Sequence, residues 1–105
     1  MRVITVTEAG HVTELGELSE VQVIELAVLH MAVSDHENSF ITATTDAVWL
    51  TVTLGPSQER CTVVYIIDNP ASDVNIAATL MRTCKLTVRE ARRGVLPEAA
   101  AVYLT

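Results

Sequence analysis

Val48-Trp49-Leu50-Thr51-Val52-Thr53-Leu54 alternates aliphatic side chains at 48, 50, 52 and 54 with Trp49, Thr51 and Thr53. A period of two lines up one face of a strand, whereas a helix would scatter the same residues around its axis. What flanks this strand sets the fold. Before it, residues 40–44 are rich in β-branched side chains and reach it through the turn Thr45-Asp46-Ala47. After it, the turn Gly55-Pro56-Ser57-Gln58 leads into a third strand over residues 61–67, which closes at Asp68-Asn69-Pro70. Three strands joined in succession by short turns make an antiparallel meander.

Working outward from the meander, Val3, Thr5 and Thr7 alternate with Ile4 and Val6 and are followed by Gly10, which predicts a first strand and a turn, with Val12-Thr13 as a short second strand. Ser19-Glu20-Val21-Gln22 has the form of a capping box, in which a Ser hydroxyl and a Gln three residues later satisfy free backbone donors. A helix is expected from there to about Val33. Val21, Ile24, Val28 and Met31 form its apolar stripe, which Leu29 and Ala32 widen. On the C-terminal side, Val74, Ala77, Ala78, Met81, Cys84 and Val88 return to helical spacing from Asp73, although part of Ile76 to Met81, a short apolar run, could be a strand instead. Arg89, Arg92 and Arg93 would complement the helix dipole before Gly94 stops it. Beyond Pro97, Ala101-Val102-Tyr103-Leu104 reads as a final strand. The expected fold class is α+β: an antiparallel sheet of four to six strands flanked by two helices.

The chain has 105 residues, half of them apolar and 4% aromatic. That is room for one domain, residues 1–105, with a core of Val, Leu, Ile and Ala. No apolar run approaches the ~18 to 20 residues that a membrane span requires, and residues 1–7 alternate where a signal peptide would be continuously hydrophobic. Cys61 and Cys84 lack close spacing, which fits a reducing, cytoplasmic setting in which both pack as small hydrophobes.

Charge divides the chain. Residues 1–59 carry nine acids and one base, a balance of −8, while residues 60–105 carry six bases and four acids, a balance of +2. Nucleic acid is a poor partner for the acidic part, because phosphate recognition needs a basic stripe. A basic protein suits it better, beside the plain reading that the acids keep a small domain in solution.

Inherited chemistry is sparse. His11, His30 and His36 stand in no metal-binding spacing, although Asp35-His36-Glu37 puts two carboxylates beside an imidazole. Sequence neighbours point in different directions, so a solvated loop is the expected place for His36, and His30 falls at the edge of the first helix's stripe. Each cysteine lies in an apolar context and is expected to pack, not to attack. Gly10, Gly16, Gly55 and Gly94 are isolated, and no phosphate-binding or nucleophile-elbow loop is present. No cofactor, metal or catalytic residue is therefore expected.

Two segments resemble a family. Val63-Val64-Tyr65-Ile66-Ile67-Asp68, following the hairpin, resembles the central sheet of the first-described immunity-protein family of bacterial polymorphic toxin systems. Leu86-Thr87-Val88-Arg89-Glu90-Ala91-Arg92-Arg93-Gly94-Val95-Leu96-Pro97-Glu98, with Val102-Tyr103, looks like that family's closing helix, Pro turn and final aromatic strand. Ala91 and Tyr103 depart from the pattern, standing where the family usually carries an aromatic residue and Trp. The resemblance implies a cytoplasmic antidote that binds and blocks a cognate toxin domain, often a nuclease or nucleic-acid deaminase. Such a target has a basic cleft, into which an acidic inhibitor is steered.

On this reading the partner-binding residues are Glu14, Glu17 and Glu20 before and at the first helix, and Asp35, Glu37 and Asp46 on loops. Trp49 joins them as an anchor if it is presented on an open sheet face. The rival reading is a ferredoxin-like regulatory module that binds a small ligand as a homodimer, and it rests on element order alone.

Overall fold

Ile4, Val64 and Trp49 stand side by side on three neighbouring strands, and one residue along so do Val3, Tyr65 and Val48. Successive side chains on a strand point to opposite faces, so these two rows mark the two faces of one sheet. The computed structural model describes residues 1–43, 47–54, 56–67, 76–86 and 88–90. Its strands are β1 (Arg2–Thr7), β2 (Val12–Glu17), β3 (Phe40–Ala43), β4 (Ala47–Thr53), β5 (Arg60–Ile66) and β6 (Val88–Glu90). Its helices are α1 (Glu20–Ala32) and α2 (Ile76–Cys84), with a 3-10 turn at His36–Asn38.

The strands form one sheet in the order β2-β1-β5-β4-β3-β6. The neighbouring pairs are antiparallel except for β6, which runs parallel to β3. The class is α+β, and β3, β4 and β5 form the expected meander. The opening hairpin adds itself to the β5 edge of that meander, and its second strand is longer than Val12-Thr13. Gly10 makes the hairpin turn possible: its φ of +88° is a left-handed value that side chains other than glycine avoid.

Both faces of the sheet are apolar. On one, Val3, Ile41, Val48, Leu50, Val52, Val63 and Tyr65 pack against Val23 and Ala27 of α1 and Ile76, Leu80 and Cys84 of α2. On the other, Ile4, Val6, Ala47, Trp49, Val64 and Ile66 form a second buried cluster with Val12 against it. Fully burying one such aliphatic side chain is worth about 1.5–3 kcal/mol, so the central strands hold most of this stability.

The capping box of α1 is present in both halves: the Ser19 N–H donates to Gln22 Oε1 at 2.8 Å, and the Gln22 N–H donates to Ser19 Oγ at 3.2 Å. The expected stripe, however, has the wrong phase. Val23 and Ala27 are the buried residues, Ile24 and Met31 are half-buried, and Val21 and Val28 of that stripe face solvent. Ala27 is small, and seating the helix on Val23 and Ala27, one turn apart, brings its backbone close to the sheet.

The second helix also differs from its expectation. Ile76 to Met81 is helical, but α2 ends at Cys84, and Lys85 adopts a left-handed φ of +56° that cannot continue it. Val88–Glu90 is then strand β6, in register with Ile41, Thr42 and Ala43. Val88 is β-branched, which favours extended backbone once the helix has stopped. The helix expected to run through Val88 and Arg89 is thereby corrected. Residues 73–75 and 91–94 of that expectation, and the strand expected at 101–104, lie outside the described residues. Among the described residues no helix is long and apolar enough to cross a membrane.

Candidate partner-binding surface

Nine of the thirteen residues of α1 are apolar, and the others are Glu20, Gln22, Glu25 and His30. One side of a helix cannot hold so many. With Val23 and Ala27 set against the sheet, the 100° step per residue turns Val21, Glu25, Val28, Leu29 and Ala32 outward, at spacings of four, seven, eight and eleven. Val21 is 64% exposed, Val28 51% and Leu29 66%, and Val33 at the C-cap is 60% exposed. The outer face of α1 is therefore an aliphatic stripe with one carboxylate, Glu25, at its middle.

β2 lies beside this helix and is, among the described residues, the outermost strand of the sheet on that side. Its pairing with β1 slips between Val3 and Ile4, so that Val3 faces Gly16, Ile4 faces Glu14 and Leu15 is the extra residue. Gly16 takes a φ of +78° at this bulge. Leu15 shares an open groove of about 310 Å³ with Leu18, Gln22, Glu25, Leu26 and Leu29. The groove is lined by leucines from both elements, and Glu25 is its one charged residue.

The expected site residues do not gather in one place. Glu14, opposite Ile4, lies on the face away from α1, where it pairs with Arg2 at 3.6 Å. Glu17 meets the Met1 amine at 2.9 Å. Glu20 is in the first turn of α1 and, with Glu17, brackets Leu18 at the end of the groove. Asp35 and Glu37 belong to the 3-10 turn beyond the other end of α1, roughly 20 Å along the helix axis at 1.5 Å per residue. There the Asp35 N–H bonds to the Thr53 carbonyl of β4 at 2.7 Å. Asp46 lies outside the described residues. Trp49, expected as an anchor on an open face, is 2% exposed in the second core cluster and offers a partner no surface in this fold.

Nor does the Asp35-His36-Glu37 triplet assemble a reactive centre. The Asp35 carboxylate accepts from the Glu37 N–H at 3.2 Å and from Asn38 Nδ2 at 2.7 Å. His36 points elsewhere: its Nε2 lies 3.2 Å from the Cys84 carbonyl and 3.1 Å from that of Lys85. Both partners are acceptors, so Nε2 carries the hydrogen and caps the C-terminal end of α2. His36 is exposed in its turn, as expected of a loop histidine, and the pairing with the end of α2 is the part its sequence context did not show. His30, half-buried at the helix edge, bonds through Nδ1 to the Leu26 carbonyl at 2.9 Å.

The two cysteines are free thiols, Cys84 buried and Cys61 half-buried. Burial pushes both thiols up from their ordinary value, the opposite of the tuning that activates a nucleophile. Tyr65 is raised as well, first by burial and then by the neighbouring Cys84. Among the described residues, no three His, Cys, Asp or Glu side chains converge as metal ligands.

Reading α1 for a single core stripe missed Val21, Val28 and Leu29 as surface. The signal was the surplus of apolar residues at every phase of the helix. A second signal was the absence of any Lys or Arg between Arg2 and Arg60, which leaves this surface with charge of one sign. No protein-family model matches the chain, and no curated protein or solved structure matches it.

Proposed function

We propose that this chain is an immunity-type protein: it binds a basic toxin domain, a nuclease or nucleic-acid deaminase, and blocks it in the cytoplasm by occupying its surface, without chemistry of its own. The observation that carries the reading is the exposed aliphatic face of α1 and β2, whose charges are acidic. Monomeric proteins rarely leave contiguous large aliphatics in water unless a partner covers them. The sign of the charge selects the partner: a nucleic-acid enzyme presents a basic cleft, and opposite charge accelerates the encounter. The resemblance of residues 63–68 to the central sheet of the immunity family points to the same class of target, whereas Val88–Glu90, read as part of that family's closing helix, is strand β6.

The rival reading, a ferredoxin-like regulatory homodimer, draws less support. Among the described residues two strands precede α1 and three lie between the helices, where that fold has one and two.

Co-expression with the product of the neighbouring reading frame tests the proposal. The expected result is a tight one-to-one complex that silences a toxic activity, with an association rate that falls as ionic strength rises. A neighbour that is neither bound nor neutralised would sink it.

A further inference from the structure

We infer that the groove between β2 and α1 receives an amphipathic helix of the basic partner, whose apolar stripe rests on Leu15, Leu18, Leu26 and Leu29 and whose Lys or Arg meets Glu25. This rests on the reading of the chain as a binder of a basic protein and goes further by naming the recognition element.

Three observations select the occupant. The first is shape. The groove of about 310 Å³ is open along its length and lined by side chains from a helix and a strand. It has room for a pair of aliphatic side chains laid in from above, and an open trough of that kind suits the spaced anchors of a docked helix better than an enclosed ligand.

The second concerns the edge of β2. A partner strand would have to pair with a straight run of backbone, but the bulge at Leu15 and Gly16 breaks the register there. Glu14 and Glu17 add charge to the same edge, the usual means of discouraging strand addition. The bulge has a second effect, since Leu15 stands on the α1 side, in the groove, while Glu14 stands on the other.

The third is the position of Glu25. It sits in the middle of the outward stripe of α1 and has no ion pair among the described residues. If a second copy of this chain packed on the stripe, two-fold symmetry would bring Glu25 toward its own copy. Neither β2 nor α1 carries a Lys or Arg of its own to neutralise that pair. A partner side chain of positive charge removes the difficulty and satisfies the carboxylate.

The first experiment uses a fluorescein-labelled synthetic helix with leucines at i, i+4 and i+7 flanked by lysines, and a matched peptide with glutamates in their place. The lysine peptide should bind the whole protein and the glutamate peptide should not. Leu29→Asp should lower its affinity at least ~10-fold, with an unchanged thermal midpoint because Leu29 already faces water. Glu25→Lys should weaken the lysine peptide and admit the glutamate peptide. Equal binding of the two peptides, or indifference to Leu29→Asp, overturns the inference. So does a stable homodimer that Leu29→Asp dissolves.

The same variants separate this inference from the function it rests on. A neutralising complex with the neighbouring gene product that survives Leu29→Asp and Glu25→Lys but breaks on Glu37→Lys keeps the function and discards the groove. Peptide binding with the expected variant pattern, but no neutralised neighbour, keeps the groove and discards the antidote.

Discussion

In β4 every side chain of Ala47–Thr53 is buried, Thr51 and Thr53 among them, whereas in α1 only Val23 and Ala27 are buried and Val21, Val28 and Leu29 stand more than half exposed. Position in the fold separates them. β4 lies inside the sheet with β5 and β3 on its flanks and apolar clusters on both faces, so its hydroxyls are enclosed along with its aliphatics. Thr51 meets Thr62 at 3.4 Å, and Thr53 donates to the Asn38 carbonyl at 3.2 Å. α1 covers the sheet from outside and needs only one side to do so. Leu26 and Met31 pack against the edge of that core, whereas Val21, Val28 and Leu29 take no part in it and are the residues with binding energy to offer.

Truncation in the two elements should break this comparison or confirm it. Leu50→Ala, at a fully buried position facing α1 and α2, is expected to cost about 2–5 kcal/mol. Leu29→Ala, from the same residue type in α1, should stay within about 0.5 kcal/mol. Urea midpoints of the two variants decide it, and a Leu29 loss as large as that of Leu50 would mean that the outer face of α1 is covered.

The contrast also explains how much could be read from sequence. Alternation at Val48 to Leu54 identified β4 and its meander because strand period depends on local pleat alone. The capping box at Ser19 located the start of α1 for a similar reason, since its donors and acceptors lie within four residues. Which side of α1 faces the sheet depends on distant partners, and nine apolar residues at all phases gave no unique answer. The end of α2 was misread because Val88 continues the helical spacing, while the residue that closes the helix end, His36, is 48 positions away from Cys84 in the chain. Of the expected site, Glu17 and Glu20 fall at one end of the groove. Leu29, which the sequence places in the core stripe, lines the groove instead.

A smaller effect of opposite sign is expected inside the core. Tyr65 is 0% exposed, and its hydroxyl has no hydrogen-bond partner among the described residues, as is also true of Thr42 Oγ1 and Trp49 Nε1. An unsatisfied buried polar group costs about 1–3 kcal/mol, so Tyr65→Phe, which keeps the ring, should raise stability by about 1 kcal/mol or more. The pH dependence follows from the same burial. Because the phenol ionises less readily in the folded state, its contribution is complete below the unfolded value of about 10 and is lost as pH rises above it. Urea midpoints at neutral pH and at about pH 11 should therefore converge in Tyr65→Phe, leaving the shallower alkaline slope of the raised cysteines. A variant less stable than the parent at neutral pH would show that the hydroxyl is satisfied after all.

A local effect belongs to His36, which joins the two halves of the comparison: its turn packs on β4, and its ring closes the end of a helix. Nε2 serves the carbonyls of Cys84 and Lys85, two of the acceptors that a helix end leaves without internal partners. Water can reach these groups once the ring is gone, so His36→Ala should cost only about 1 kcal/mol. The loss should be local. Amide exchange should quicken in the last turn of α2, where the cap is removed, and stay unchanged in α1, whose own cap is formed by Ser19 and Gln22. Equal acceleration in both helices would mean that the contact across 48 residues holds the whole helical layer in place, in which case the turn at Asp35 and Glu37 is a structural brace and the partner surface is confined to the other end of α1.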